Sequence, residues 1–228
     1  MKNKNIVDSA QDYAYKKHNQ PSDSQRYGSA PYSVHLEMVV AFIKKYKYLL
    51  SDDVHDDVEA AGYLHDSVED TDTTPKSLRN LFNDRIAQIV YRVSNERGWE
   101  EKEILFKTLP KIWQCELSTF IKLCDRMANG TNSKNGTSDK SKRMYKKYKG
   151  QYPIFRYALK VEGTYDEMWV ELDEIFEFII VPKCNNEMSF TLDELYRFQS
   201  EMNYNAVDFQ SEHCFKDMLD WKAKQLKV

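Results

Sequence analysis

GYLHDSVEDT, residues 62–71, places His65, Asp66, Glu69 and Asp70 within six residues of a segment whose apolar positions recur at helical spacing. On one helix, His65 stands a turn from Glu69 and Asp66 a turn from Asp70. Acidic groups that face inward beside Leu64 and Val68 lose solvation and repel one another unless a positive charge neutralises them. A divalent cation supplies that charge. The imidazole nitrogen of His65 and the carboxylate oxygen of Asp66 form a mixture suited to Mn²⁺, Fe²⁺, Co²⁺ or Zn²⁺ rather than Ca²⁺. Two protein ligands are too few, so the others must come from elsewhere in the chain. His35 and Asp125, each set in an otherwise apolar helical pattern, are the candidates. Gly62, one turn before Asp66, leaves room either for a ligand beside the acid or for close helix packing.

Context separates this histidine–aspartate pair from a second one. His55-Asp56 lies only ten residues earlier, in SDDVHDDVE, where the acids read as a solvated face near the positive end of a helix dipole, with Ser51 as N-cap. His65-Asp66 lies deeper, on a stripe of Val54, Val58, Ala61, Leu64 and Val68, with Glu69 and Asp70 behind it.

Outward from this stretch the chain reads as helical throughout. Residues 5–18 carry a stripe of Ile6, Ala10, Tyr13 and Ala14, and after a loop Val34, Met38, Phe42 and Ile43 define a helix that holds His35 near its start. Thr74-Pro75 is a cap followed by a first-turn proline. Further helices are expected over 84–94, 99–108, 111–129, 143–160 and 164–181. GTNSKNGTSDKSK (130–142) has no bulky apolar residue and two glycines, so a loop is expected there. Beyond residue 182 a linker leads to a helical extension, 183–228, in which Thr191 and Glu194 make a capping box. That extension has an apolar set of Leu192, Leu195, Tyr196 and Phe198, suited to docking on the core or to a subunit interface.

Composition agrees. With 228 residues, 41% of them hydrophobic and 30% charged, the chain can bury a core, while seven glycines and six prolines are too few for a turn-rich β fold. The net charge of −3 gives no general attraction to nucleic acid. Cys115, Cys124, Cys184 and Cys214 form no CxxC pair, which fits reduced thiols in a cytoplasmic protein. The first residues contain no apolar signal core, and the longest apolar run, 175–181, is too short to span a bilayer.

The order His35, His65-Asp66, Asp125 resembles the H…HD…D signature of HD-superfamily phosphohydrolases, and the longer words are similar to the hydrolase domain of Rel/SpoT alarmone enzymes and their small relatives. The matching words are KKHNQ (16–20), Arg26, Pro31-Tyr32 before His35, HDSVEDT (65–71), VSNER (93–97) and KLCDRMAN (122–129). The acidic pair after HD is the specific part. Tyr27 replaces the basic residue that usually follows the first arginine, and Gly130, Thr131 and Asn132 stand where the family places an arginine and a threonine.

The resemblance implies an all-α fold, an HD-domain helical bundle over residues 1–182 with the extension at 183–228. It implies a divalent metal, Mn²⁺ first, held by His35, His65, Asp66 and Asp125, with Glu69 and Asp70 handling the attacking water. The substrate is a small nucleotide, with no nucleic-acid or membrane partner. The implied reaction removes the 3′-pyrophosphate of (p)ppGpp to give GDP or GTP. Candidate substrate contacts are Arg26 stacked on the purine, Tyr32, Asn129 and Asn132. Lys142 and Arg143 join them from the basic run Lys134, Lys140, Lys142, Arg143, Lys146 and Lys147. Tyr32 could equally pack on the first helix, and the basic run could equally be a solvated face. Two other readings stand beside this one: an HD hydrolase of another nucleotide (a nucleoside monophosphate, a deoxynucleotide, NADPH or a cyclic dinucleotide), and a non-catalytic nucleotide- or protein-binding module.

Overall fold

The computed structural model describes residues 5–20, 25–98, 100–178 and 197, and among them the fold is all-α but for one minimal hairpin. Helix α1 (Ile6–His18) begins where the Asn5 side chain accepts a hydrogen bond from the Asp8 amide at 2.7 Å. Two-residue strands β1 (Arg26–Tyr27) and β2 (Ala30–Pro31) then pair antiparallel, with Arg26 opposite Pro31 and Tyr27 opposite Ala30. Gly28 turns the chain at φ +65°, a conformation that a side chain would strain. Sequence periodicity gives no hint of this hairpin, since its strands are too short to show alternation.

The succeeding helices are α2 (Ser33–Tyr46), α3 (His55–Leu64), α4 (Ser67–Asp70), α5 (Pro75–Leu81), α6 (Asp84–Val93) and α7 (Glu101–Trp113). They are followed by α8 (Glu116–Asn135), α9 (Asp139–Leu159) and α10 (Asp166–Phe176). Thr74 caps α5 as expected, in a reciprocal pair with Ser77. Ser51 precedes a 3₁₀ turn, Asp52–Val54, but its side chain accepts no capping bond.

Helix α8 is the hub. Its positions 118 to 128 are all buried, and it touches α2, α6, α7, α9 and α10. On the other side α3 is wedged between α1, α2 and α6, and its Ala60, Ala61 and Gly62, with Ala10 and Ala14 of α1, keep that layer thin. A Cβ on Gly62 would fall 2.2 Å from the Ile43 side chain, so of the two uses foreseen for this glycine close helix packing is the one realised.

Three boundaries differ from expectation. The break expected near residue 109 lies at 114–115, because α7 runs through Pro110. Burial of Leu109 and Ile112 outweighs the hydrogen bond that proline cannot make. The loop expected over 130–142 shrinks to 136–138, since α8 continues to Asn135 and Ser138 caps α9 by accepting from the Ser141 amide at 3.1 Å. Gly130 does not end the helix. It admits α10, whose Ile175 and Phe176 side chains would both lie 2.7 Å from a Cβ at that position, and α10 itself stops at Phe176 rather than at 181. The extension at 183–228, with its capping box, lies outside the described residues apart from Arg197.

Gly130→Ala is therefore expected to destabilise the fold by about 1–3 kcal/mol through overpacking against Phe176. Urea unfolding should show a lower midpoint with an unchanged m-value. An unaltered midpoint would contradict the packing role of this glycine.

Candidate metal centre and nucleotide cleft

Four side chains from three parts of the chain meet at the contact of α2, α3 and α8. His35 comes from the first turn of α2, His65 and Asp66 from the junction after α3, and Asp125 from the middle of α8. His35 is 2% exposed, His65 1% and Asp125 5%. The Nε2 atom of His65 lies 3.2 Å from that of His35, 3.0 Å from Asp66 Oδ2 and 3.7 Å from Asp125 Oδ1. His35 Nε2 lies 3.3 Å from Asp66 Oδ2 and 3.4 Å from Asp125 Oδ1. Among the described residues His35, His65 and Asp66 form the group able to hold a metal ion, and Asp125 closes it from the fourth side.

The donors suit a cation. His65 Nδ1 lies 2.8 Å from the Gly62 carbonyl, which can only accept, so Nδ1 carries the proton and the Nε2 lone pair faces the cluster. His35 has no such anchor: its buried Nδ1 lacks a partner, and the ring is held instead beneath Tyr27, centroid to centroid 4.7 Å. Burial opposes an imidazolium at His65, yet Asp66 and Asp125 outweigh it and hold the pKa well above its ordinary value. Burial likewise opposes the ionised carboxyl of Asp66, but His65 and His35 keep it well below the usual range. Burial opposes ionisation of Asp125 too, and Lys122 with the two histidines reverses that. Positive charge is what this centre draws in.

The backbone around the pair is not the straight helix that its spacing suggests. Helix α3 ends at Leu64, and the Asp66 carbonyl accepts from the amides of Glu69 and Asp70, 3.1 and 2.9 Å, to start α4. Glu69 is thereby delivered to Asn95, which donates to its two oxygens from the backbone amide at 3.0 Å and from the side chain at 2.7 Å. Asp70 is raised to about 7 by burial and by the negative charges of Asp66 and Glu69.

Tyr32 packs on the first helix, one of its two foreseen roles, and also touches the centre. Its hydroxyl donates to Asp66 Oδ2, while its ring stacks on His18 at 4.6 Å. Asn129 donates to Asp125 Oδ1 at 2.6 Å and lies within 3.3 Å of the Tyr27 hydroxyl, which Asn132 also contacts. These residues line a cleft of about 510 Å³ together with Arg26, Glu69, Asp70 and Lys122. Arg26 is exposed at its rim and bonded to the Ser29 carbonyl.

Lys142 and Arg143 lie outside the cleft. Both are exposed on the far side of α9, and the face that lines the cleft carries Lys140, Ser141, Met144, Lys147, Tyr148 and Gln151. The basic run thus divides between a cleft-lining face and an exposed one. His55, of the second pair, sits near the Lys47 and Leu50 carbonyls and takes no part.

Four participants escaped the sequence reading: Tyr27, Asn95, Lys122 and Arg126. Lys122 pairs with the other oxygen of Asp125 at 3.0 Å, an i, i+3 relation that KLCD displays openly. Asn95 and Tyr27 act across helices, where spacing carries no signal.

No family model matches the chain, and no curated protein matches it. Among solved structures it is similar to one described as a metazoan ortholog of SpoT that hydrolyzes ppGpp and plays a role in starvation responses. The TM-score is 0.61 at 23% identity, over 78% of this chain and 97% of the other. The chain has the helical fold of that protein. No helix among the described residues is long and apolar enough to cross a membrane.

Protein stripped with a chelator is expected to take up about one Mn²⁺ per chain and to melt at a higher temperature once loaded. Asp125→Ala should abolish both effects. Full uptake by that variant would remove α8 from the ligand set.

Proposed function

We propose that the chain is a metal-dependent nucleotide pyrophosphohydrolase that removes the 3′-pyrophosphate of (p)ppGpp, yielding GDP or GTP and pyrophosphate. The observation that carries this reading is the convergence of His35, His65, Asp66 and Asp125 beside an acidic pair, at the floor of a cleft sized for a nucleotide. The ppGpp hydrolysis described for the structurally similar protein supports the choice of substrate.

His35, His65, Asp66 and Asp125 would hold a divalent cation, Mn²⁺ by preference, which would supply Lewis-acid polarisation of a phosphoryl oxygen and a lowered pKa for water. The chain's own groups do the rest. Asp70, whose carboxyl is raised first by burial and then by the charges of Asp66 and Glu69, is the acid suited to take a proton from water. Glu69, with both oxygens engaged by Asn95, orients that water rather than taking its proton. Water oxygen bonds to the phosphorus attached to the 3′ oxygen, the P–O3′ bond breaks, and the 3′ oxygen leaves with a proton relayed from Asp70. Asn129 steadies Asp125, Tyr32 steadies Asp66, and Arg26 at the rim stacks on the purine through its planar guanidinium. A soluble nucleotide as sole substrate, with Cys115 and Cys124 both free thiols, fits a cytoplasmic setting.

Incubation with ppGpp and Mn²⁺ should release pyrophosphate and GDP in equal amounts. Parallel assays with NADPH, deoxynucleotides, nucleoside monophosphates and cyclic dinucleotides separate this substrate from the other nucleotides. Cleavage of one of those with ppGpp left intact would move the substrate assignment and leave the metal chemistry standing. Asp70→Asn is expected to lower kcat about 10²-fold or more. Because the base works deprotonated, wild-type kcat should rise with pH through the Asp70 pKa. A cation beside Asp66 lowers that pKa, so the acidic limb falls between the ordinary carboxylate value, about 4, and about 7. The limb should vanish in Asp70→Asn. Its persistence in that variant would assign the base elsewhere.

A further inference from the structure

The cleft holds charge of both signs: Asp66, Glu69, Asp70 and Asp125 line it with Lys122, and α8 and α9 add Arg126, Lys140 and Lys147. Arg126 is only 6% exposed, and the charge of its neighbour Asp125 acts on it, but it makes no ion pair among the described residues. Its Nη1 donates to the Gln151 side-chain oxygen at 3.1 Å, and its buried Nε has no acceptor. The rings of Tyr148 and Phe155 face the guanidinium at 5.0 and 4.9 Å.

A buried guanidinium is costly unless it is paired. Aromatic faces attract the cation but accept none of its fork of N–H bonds, and a neutral amide oxygen takes only one. The missing counter-charge belongs in the cleft, which Arg126 lines together with Gln151. A planar fork on an open cleft suits an oxyanion with several oxygens, and Lys140 and Lys147 on the same wall suit more than one phosphate.

We infer that Arg126 and Gln151 form an anion subsite for a diphosphate group in the cleft. The subsite rests on the reading of the cleft as a nucleotide site. Its occupant is either the 5′-diphosphate of the nucleotide or the diphosphate that leaves from the 3′ position, and the two share one chemistry. Gln151 is the informative neighbour. As glutamine it leaves the Arg126 charge uncompensated, and as glutamate it would neutralise that charge from within the protein.

Binding of inorganic pyrophosphate to the full chain, as purified and again with added Mn²⁺, tests the subsite without any need for turnover. Arg126→Gln is expected to weaken pyrophosphate about tenfold or more. Gln151→Glu should do the same while melting no lower than wild type, since it supplies the absent carboxylate. A purely structural Arg126 would leave pyrophosphate affinity intact in Gln151→Glu, and that result would overturn the inference. So would a wild-type protein that does not bind pyrophosphate. In turnover, Arg126→Gln should raise KM for a 5′-diphosphate substrate alone if it grips that end. It should raise KM equally for a substrate with a bare 5′-hydroxyl if it grips the leaving diphosphate. Unchanged KM for both substrates contradicts the subsite. Pyrophosphate binding without ppGpp cleavage would sink the proposed reaction and spare the subsite.

Discussion

Two carboxylates gathered around two buried imidazoles, with 3.0 to 3.7 Å between ring nitrogens and carboxylate oxygens, are the constraint around which this helical fold is arranged. None of the three elements that supply them can shift without breaking the set. Helix α2 must present its first turn, α3 must stop at Leu64, and α8 must run through the interior with charged residues on a fully buried stretch. The core offsets the cost of these desolvated groups by giving three of them a further partner, Gly62 for His65, Tyr32 for Asp66, and Lys122 and Asn129 for Asp125, while the His35 ring is held against Tyr27.

Helix α8 shows how one element serves both stability and chemistry. Its apolar residues Phe120, Ile121, Leu123, Cys124 and Met127 pack the interior, while Lys122, Asp125, Arg126 and Asn129 reach the cleft. Gly130 then lets α10 close on it, which extends the helix past the point where composition alone would end it. The same closeness of packing appears at Gly62 under Ile43, directly before the HD pair. Glycine at both positions is a requirement of neighbouring helices rather than of local backbone conformation.

Much of this was legible in the sequence, for a physical reason. Helical periodicity and the Thr74-Pro75 cap are local, so α1 and α6 could be read within a residue and the starts of α2 and α5 placed. The four cluster residues announced themselves because ionisable groups are expensive inside apolar patterns. What escaped depends on packing between distant segments: the run of α7 through Pro110, the continuation of α8 beyond Gly130, and the face of α9 that turns inward. The straight-helix geometry assumed for His65 through Asp70 also failed, since spacing cannot reveal that the chain breaks at His65-Asp66 to send Glu69 to Asn95. His55-Asp56 illustrates the converse, a sequence word whose surroundings never close around it.

The small hairpin at 26–31 and the tyrosine that follows it tie the mouth of the cleft to its floor. Arg26 stands at the rim, Tyr27 covers His35 and reaches Asn129, and Tyr32 holds Asp66. One stretch of seven residues therefore touches both the rim of the cleft and the side chains of the candidate metal centre. Selection acting here cannot treat recognition and cofactor affinity as separate traits. A lineage that altered this stretch to welcome a different ligand would have to re-establish its hold on the metal in the same step.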